Sequence, residues 1–255
     1  MMQDSEAPRR PGIQSIARAA QVLRALREQP AGLTLGELAA AVALPKSTVH
    51  RLVGALTSEE LLDSSAEGRV VLGGGLAGLA AALHEALAAR VRPVLVELSH
   101  ELAETVDLAV REGASVRFLD QVPGPQRLRA VSAVGAEFPL HCTANGKALL
   151  AELPDEAVAQ LLPERLPALT RRTSTSRARL LDELAEVRMQ GFALDREEQT
   201  EGICAVGAAI RDRSGAVAAL SVPVPSARFA GAERRCAQAV VNAARSASAI
   251  LGGGG

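Results

Sequence analysis

The hydrophobic positions near the start of the chain recur every three or four residues in three consecutive segments. These segments cover residues 16–26, 35–42 and 46–56, and a period near 3.6 residues is typical of amphipathic helices. Thr34 and Glu37 form a capping-box pattern, in which each side chain accepts a hydrogen bond from the other residue's backbone N–H. The pattern therefore predicts three short helices, with a tight turn before the third.

The period changes after these helices. Residues 61–64 and 69–72 are short apolar runs on either side of a turn-forming tetrad, which predicts a β-hairpin. Glycines at residues 73–75 mark a boundary, and leucines at helical spacing then predict a connector helix, before Pro93 opens another helix. The apolar face of the connector fits either a dimer contact or packing within the chain.

The rest of the chain mixes strands and helices. Alternating apolar residues predict strands at residues 105–110, 116–118, 128–131, 192–196, 204–211 and 217–224. Helical spacing predicts helices at residues 143–152, 155–162, 176–190 and 230–251. Strands grouped in this way favour an α+β fold, in which helices pack on a largely antiparallel sheet, over a doubly wound parallel sheet. Neither a G-x-G-x-x-G nor a Walker pattern occurs, so nucleotide chemistry has no support.

These elements divide the chain into four parts. We expect a disordered N-terminal arm at residues 1–12, a winged helix-turn-helix domain at 13–73, a connector helix at 74–91 and a second domain at 92–252.

Composition narrows the function classes. The 255 residues are 48% hydrophobic, which is enough for a sizeable core, and 28 basic residues against 29 acidic ones argue against a wholly basic nucleic-acid coat. Aromatic residues make up 2% of the chain, with no Trp or Tyr, so the stacking platforms of single-strand binders are excluded. Because the overall charge is balanced, any contact with nucleic acid must be confined to a small part of the surface.

Cysteine usage and the polar start of the chain indicate the compartment. The three cysteines contain no C-x-x-C pair, which predicts neither a disulfide framework nor a zinc site. Met1 to Pro11 lack the apolar stretch of a signal peptide, and charged residues interrupt the most apolar segment. We expect a soluble cytoplasmic protein with no membrane partner.

The third helical segment carries candidate chemistry for DNA recognition. Its first turn and polar face hold Lys46, Ser47, Thr48, His50 and Arg51. A helix of this kind after a tight turn suits the major groove, where Arg and Lys bond guanine and hydroxyls reach phosphates or base edges. Arg69 in the hairpin and Thr34 before the second helix are further candidate DNA contacts. The alternative is an ordinary helical bundle with solvated charges, and the balanced charge of residues 1–72 does not decide between the two.

Several ordered motifs resemble one family. Leu44-Pro-Lys-Ser-Thr-Val-His-Arg-Leu52 resembles the recognition helix of IclR-type transcriptional regulators, and Phe138-Pro-Leu-His-Cys-Thr-Ala-Asn-Gly-Lys147 resembles the segment that opens their effector domain. Residues 192–198, Gly202 and residues 218–221 match further family motifs in order, so the resemblance covers about residues 13–252. It implies a winged-helix head and a GAF-like effector domain in a homodimer or dimer of dimers.

The resemblance also implies partners and a site. The partners are a double-stranded DNA operator and a small-molecule effector, often a carboxylate or an aromatic acid, and no cofactor is expected. Thr143 can cap a helix whose first N–H groups converge, and such a helix end suits a carboxylate. Of the phenylalanines, Phe118, Phe138 and Phe192 are candidates to line the pocket. The candidate effector-binding residues are Thr143, Ala144, Asn145, Gly146, Asp195, Ala205, Ser221 and Phe138.

Three departures from the family pattern concern this pocket. Ala205 stands where the family often has a cysteine, Pro223 where a second serine is expected, and Asn145 where a small residue is common. Cys204 precedes Ala205 and is expected on the opposite face of the strand. The effector therefore stays unnamed at this stage.

An enzymatic alternative remains. His141 and Cys142 could act as base and nucleophile, or His141 could bind a metal with Asp195, Glu197 and Glu198. Adjacent residues generally point apart, which is poor geometry for a His–Cys pair. The preferred hypothesis has no catalytic residue and no metal: a sequence-specific transcriptional regulator, expected to repress, whose operator binding a small metabolite modulates.

Overall fold

The computed structural model describes residues 14–130 and 132–252, so the arm expected at residues 1–12 lies outside the described residues. The chain forms two compact units, Met1–Leu83 and His84–Gly255. None of the helices in the described residues is long and apolar enough to cross a membrane.

The first unit contains the three predicted helices and the hairpin. Its elements are α1 (Gln14–Arg27), α2 (Leu35–Ala41), α3 (Lys46–Ser58), β1 (Leu62–Ser64) and β2 (Val70–Leu72), with β1 antiparallel to β2. The predicted apolar faces meet in one buried cluster, which consists of Val22, Leu26, Leu38, Val49, Leu56, Leu62 and Val70. Backbone hydrogen bonds between Leu33 and Val70 tie the hairpin to the segment before α2. This is the winged helix-turn-helix arrangement that the spacing predicts.

Helix α4 (Gly75–Leu102) corrects one prediction, because it runs through Pro93 without a break. A proline inside a helix removes one backbone hydrogen bond and favours a kink or an end. Here the turns around Pro93 are held by burial of Val91, Val94, Leu95 and Leu98, and such packing outweighs local propensity. The boundary between the two units falls inside this helix, after Leu83.

The second unit is built on one six-stranded sheet whose paired strands are all antiparallel, as predicted. Its strands are β3 (Val106–Glu112), β4 (Ser115–Val122), β5 (Glu137–Pro139), β6 (Ala193–Arg196), β7 (Ile203–Asp212) and β8 (Gly215–Pro225), in the order β5-β4-β3-β8-β7-β6. Its further helices are α5 (Ala144–Leu150), α6 (Asp155–Leu161), α7 (Arg177–Gln190) and α8 (Ser226–Leu251).

The strand predicted at residues 128–131 is wrong for residues 128–130, which form no strand, while residue 131 lies outside the described part. The edge of the sheet beside β4 is taken instead by β5, at residues 137–139. Leu128 is 71% exposed, so its apolar side chain marks a surface loop and not a buried strand.

The two faces of the sheet carry different cores. One face, which includes Leu108, Val206 and Leu220, packs with residues of α4 and α8. The other face, which includes Ala109 and Ala219, packs with residues of α5, α6 and α7. Because side chains alternate along a strand, the odd-numbered residues of the paired segments 107–109 of β3 and 219–221 of β8 face α5. That face contains the cavity described below.

Candidate DNA-binding helix and ligand cavity

Helix α3 presents its polar residues on an exposed face. It starts at Lys46, directly after a turn in which Ala43 takes a positive φ of 52°. Lys46, Ser47, His50 and Arg51 are exposed and Thr48 is half-buried, whereas Val49 is fully buried in the unit's core. The side chains that the sequence identified on α3 are therefore placed together and available to a partner.

The other two candidate DNA contacts are engaged within the unit. The Thr34 hydroxyl accepts a hydrogen bond from the Glu37 N–H at 3.3 Å, and the Glu37 carboxylate accepts one from the Thr34 N–H at 2.8 Å. Half-buried Arg69 donates to the Gly32 carbonyl at 3.0 Å and to the Glu37 carboxylate at 2.8 Å. Arg69 thus fixes the hairpin against the start of α2, an arrangement that local sequence reasoning missed.

A cavity of about 150 Å³ lies in the second unit, on the α5 side of the sheet. Its lining is mixed, with apolar walls, hydroxyls, amides and two carboxylates. The lining residues are Asp107, Phe118, Ala130, Ser132, Phe138, Thr143, Ala144, Asn145, Asp195, Gln199, Thr200, Ile203, Ala205, Ser221 and Pro223. The sequence-derived candidates line this cavity, except Gly146; Phe192 packs instead on the opposite face of the sheet.

The register of the sheet brings the polar residues together. Asp107 on β3 is the direct cross-strand partner of Ser221 on β8, and Asp195 on β6 is the partner of Ala205 on β7. Side chains directly opposite each other share one face of a sheet. Gly207, the partner of Ser221 on β7, lets α5 approach, since a Cβ there would lie 2.7 Å from the Ala144 carbonyl carbon.

Asp195, which the sequence predicted at the effector pocket, is buried in the wall of the cavity. Its Oδ1 accepts hydrogen bonds from the backbone N–H of Glu198 at 2.7 Å and of Gln199 at 3.4 Å. Burial raises the pKa of Asp195 to about 7, although these hydrogen bonds act in the opposite direction. The carboxyl group is therefore close to its midpoint of protonation near neutral pH.

Asp107 is the main functional candidate that the sequence analysis missed. Its Oδ1 accepts a hydrogen bond from Gln121 Nε2 at 2.7 Å, and its Oδ2 accepts one from the Ser132 hydroxyl at 2.9 Å. Burial raises the pKa of Asp107 to about 6, against the effect of both bonds. A carboxylate inside the apolar run Val106-Asp-Leu-Ala-Val110 was a usable signal, because such a residue is seldom buried without a partner or a role.

The start of α5 differs from the expectation of three converging N–H groups. The Gly146 N–H donates to the Thr143 hydroxyl at 3.2 Å, and that hydroxyl donates to the Pro139 carbonyl at 3.0 Å. A Cβ on Gly146 would lie 2.2 Å from the Leu140 carbonyl oxygen, so Gly146 is a packing position. Asn145 is buried at the cavity, and its Nδ2 has no hydrogen-bond partner among the described residues.

Lys147 lies beside the cavity wall and holds it in place. It is fully buried, and its Nζ lies 2.6 Å from a carboxylate oxygen of Glu183 and 2.6 Å from one of Glu198. Burial alone would lower the pKa of Lys147, but Glu198 and Glu183 raise it above its ordinary value. Since the backbone N–H of Glu198 also bonds Asp195, Lys147 positions the segment that carries the cavity carboxylate.

The groups of the enzymatic alternative are poorly disposed for chemistry. His141 Nε2 lies 2.9 Å from the Pro167 carbonyl oxygen, and burial lowers the pKa of its ring. Burial raises the pKa of Cys142 to about 12, with Asp195 and Glu198 adding to the shift, so the thiol is a weak nucleophile. Within residues 14–130 and 132–252, no group of three or more His, Cys, Asp or Glu side chains is arranged to hold a metal ion.

Comparison with known proteins agrees with this arrangement. The family model described as the IclR helix-turn-helix domain matches residues 15–65, and the model described as bacterial transcriptional regulator IclR C-terminal matches residues 80–249. The HTH-type transcriptional regulator Rv1719 of Mycobacterium tuberculosis is 50% identical over 242 residues, covering 94% of this chain and 93% of the relative. The acetate operon repressor of Salmonella typhimurium is 33% identical over 224 residues, covering 85% and 82%.

A solved structure extends the comparison to the whole fold. The crystal structure of an IclR homolog from Microbacterium hydrocarbonoxydans, complexed with 4-hydroxybenzoate, is 25% identical. It superposes with a TM-score of 0.62 and covers 93% of this chain and 98% of its own. The fold and these matches define a transcriptional regulator with a helix-turn-helix DNA-binding domain. Within that class, the chain belongs to the IclR family.

Proposed function

We propose that this protein is an effector-controlled transcriptional repressor. It binds a pseudo-palindromic operator as a homodimer or dimer of dimers, and a small molecule bound in the second unit changes its operator affinity. The observation that carries the proposal is the pairing, in one chain, of an exposed polar α3 with a buried polar cavity.

The DNA-binding part of the proposal rests on α3. Lys46, Ser47, Thr48, His50 and Arg51 lie on the helix that enters the major groove in helix-turn-helix proteins. Arg51 is the guanidinium on this exposed face, and Arg is the side chain best suited to bond guanine O6 and N7 together. Thr34 and Arg69 support this role by fixing α2 and the hairpin, and both are proposed as further DNA contacts.

The regulatory part rests on the cavity. Thr143, Ala144, Asn145, Asp195, Ala205, Ser221 and Phe138 line a space of about 150 Å³, which fits a small molecule. A related protein has been crystallised with 4-hydroxybenzoate, which supports a small-molecule effector here as well. Repression is proposed from the relative named as an acetate operon repressor. Control of operator affinity by an effector requires coupling of about 1–3 kcal/mol between the two sites.

The first test is Arg51→Ala. Loss of a bidentate base contact is expected to weaken operator binding by about 1–3 kcal/mol while thermal unfolding stays unchanged. A genomic binding map of the wild-type protein supplies the operator, and fluorescence anisotropy at fixed salt measures the affinity.

The matched control is Arg179→Ala, which removes the same charge from an exposed position on α7. This variant is expected to bind the operator like the wild type. Unchanged affinity in Arg51→Ala would remove α3 as the reading helix, and a map without discrete binding sites would overturn the proposed function as a whole.

A further inference from the structure

We propose that the cavity selects a small ligand that brings hydrogen-bond donors and carries no negative charge, with Asp107 and Asp195 as its recognition groups. This inference rests on the effector site proposed above and gives the chemical class of its occupant. It departs from the carboxylates and aromatic acids that the family resemblance implies.

The charge of the lining is the first argument. Two carboxylates, Asp107 and Asp195, face the cavity, and none of the described lining residues is Lys, Arg or His. The nearby lysine, Lys147, is already shared by Glu183 and Glu198 and does not line the cavity. A buried anion is stable only with a partner, so a further anion from a ligand would meet no compensating charged side chain in this lining.

Unsatisfied polar atoms give a second, independent argument. Asn145 is 3% exposed, and its Nδ2 bonds to no other group in the described part of the chain. Asp195 uses only Oδ1 in hydrogen bonds to those residues, which leaves Oδ2 to accept. A hydroxyl group matches both atoms, because it donates to a carboxylate and accepts from an amide, whereas an ammonium group serves the carboxylates.

Protonation of the two carboxyl groups points the same way. Burial already raises the pKa of Asp195 to about 7 and that of Asp107 to about 6. An anionic ligand would raise these pKa values further, so its binding would be coupled to proton uptake, whereas a ligand with donors stabilises the ionised form of each carboxyl. Near neutral pH the donor ligand therefore has the advantage.

Size and shape limit the ligand as well. Phe118 and Phe138 meet edge to face with ring centroids 5.1 Å apart, and Ile203, Ala205 and Pro223 add apolar surface. An apolar cavity of about 150 Å³ in another protein holds benzene, so this space of similar volume suits one ring with one short polar substituent.

Three ring compounds that differ in one substituent test the inference on the full-length protein. Benzylamine, benzyl alcohol and benzoate carry an ammonium, a hydroxyl and a carboxylate, and isothermal titration at neutral pH measures each dissociation constant. We expect both benzylamine and benzyl alcohol to bind at least about tenfold more tightly than benzoate. The inference would be overturned if benzoate bound as tightly as benzylamine and benzyl alcohol. It would also be overturned if neither benzylamine nor benzyl alcohol bound at millimolar concentration.

Two variants locate the preference. Asp195→Asn keeps an oxygen for its existing hydrogen bonds, and Asp107→Asn keeps one oxygen and replaces the other with an amide NH2 that can donate to Ser132. Both variants remove the charge, so each is expected to weaken benzylamine and strengthen benzoate binding. The control Asp182→Asn, at an exposed position on α7, should leave the three constants unchanged. If neither cavity variant changes the ratio of benzylamine to benzoate affinity, the carboxylates do not set the preference and the inference fails.

The outcome is separable from that of the proposed function. Operator binding and its loss in Arg51→Ala are measured on the same protein preparation. A reversed ligand preference with intact operator binding overturns the ligand class alone, whereas loss of specific operator binding overturns the regulator itself.

Discussion

At the scale of single residues, the cavity residues separate what local sequence shows from what only the fold shows. Asp195 and Ser221 were expected in the cavity from motif resemblance, and both line it. Asp107 was missed because its role depends on the register of β3 with β8, which brings residues more than a hundred positions apart to one face. The Gly146 N–H, which was expected to face a ligand, donates instead to the capping hydroxyl of Thr143.

Asp107 predicts a pH dependence of stability. Its pKa rises from 3.8 to about 6 on burial, so between these values the native state binds more protons than the unfolded state. The free energy of unfolding therefore falls as pH rises through this window and levels off above it. Removing the charge in Asp107→Asn should abolish this loss, which makes the variant more stable than the wild type at pH 8 by up to about 3 kcal/mol.

Urea unfolding at pH 4 and pH 8 measures the effect of Asp107→Asn. The two proteins should differ less at the lower pH, where Asp107 is protonated in the native state and partly protonated in the unfolded state. The exposed Asp182→Asn serves as the control and should follow the wild type throughout. A variant less stable than the wild type at pH 8 would show that the ionised carboxylate is stabilising.

Substitution of each of the chain's two lysines by Met is predicted to affect a different property, stability for Lys147 and operator binding for Lys46. Lys147→Met leaves Glu183 and Glu198 without their shared cation, and breaking a buried pair in this way costs about 3–5 kcal/mol. Glu183 is partly exposed, so the lower value is expected. Lys46→Met, on the exposed start of α3, should change stability by less than about 0.5 kcal/mol but weaken operator binding.

Chemical denaturation and operator titration of both lysine variants check this pair of outcomes. If Lys147→Met unfolds like the wild type, water or another cation stabilises the Glu183 and Glu198 carboxylates in place of Lys147. If Lys46→Met binds the operator normally, this lysine is removed from the DNA contacts.

At the scale of elements, periodicity predicted most helices and strands, and it failed where packing decides. Pro93 gave a local signal for the end of a helix, yet α4 continues because apolar residues on both sides of the proline are buried. The apolar run at residues 128–131 gave a signal for a strand, whereas the sheet edge is closed by β5. Neither outcome is encoded within a few neighbouring residues.

The packing of α5 predicts the effect of a single methyl group. In Gly146→Ala the new Cβ would lie 2.2 Å from the Leu140 carbonyl oxygen and 2.5 Å from its Cα, both of them backbone atoms. The start of α5 must then shift, and overpacking of this kind costs about 1–3 kcal/mol. Because Ala144 and Asn145 line the cavity on the same helix turn, benzylamine binding should weaken too.

Gly231→Ala is the matched control for Gly146→Ala. Gly231 lies within α8 and a Cβ there meets nothing within 4 Å, so this substitution is expected to stabilise by up to about 1 kcal/mol through helix propensity. Thermal unfolding of both variants measures the difference. Equal stability would mean that α5 moves away from the Leu140 backbone without cost.

At the scale of the whole molecule, the chain combines two units with separate cores. The buried cluster of the first unit uses residues from Val22 to Val70, and the two clusters of the second use residues from Val91 to Ala247. Each cluster is thus drawn from one unit, which is the condition under which a domain folds by itself. The elements that supply the cores of each unit follow each other along the chain.

This separation predicts the behaviour of a fragment that spans residues 84–252. It keeps the whole six-stranded sheet, α5 to α8 and the part of α4 that carries Val91 to Leu98, so it should unfold cooperatively. Because every described residue that lines the cavity lies within the fragment, its affinity for benzylamine should match that of the full-length protein. Operator binding should be lost with α3. Calorimetry and titration test these points, and a fragment that folds but no longer binds benzylamine would mean that the cavity depends on the first unit.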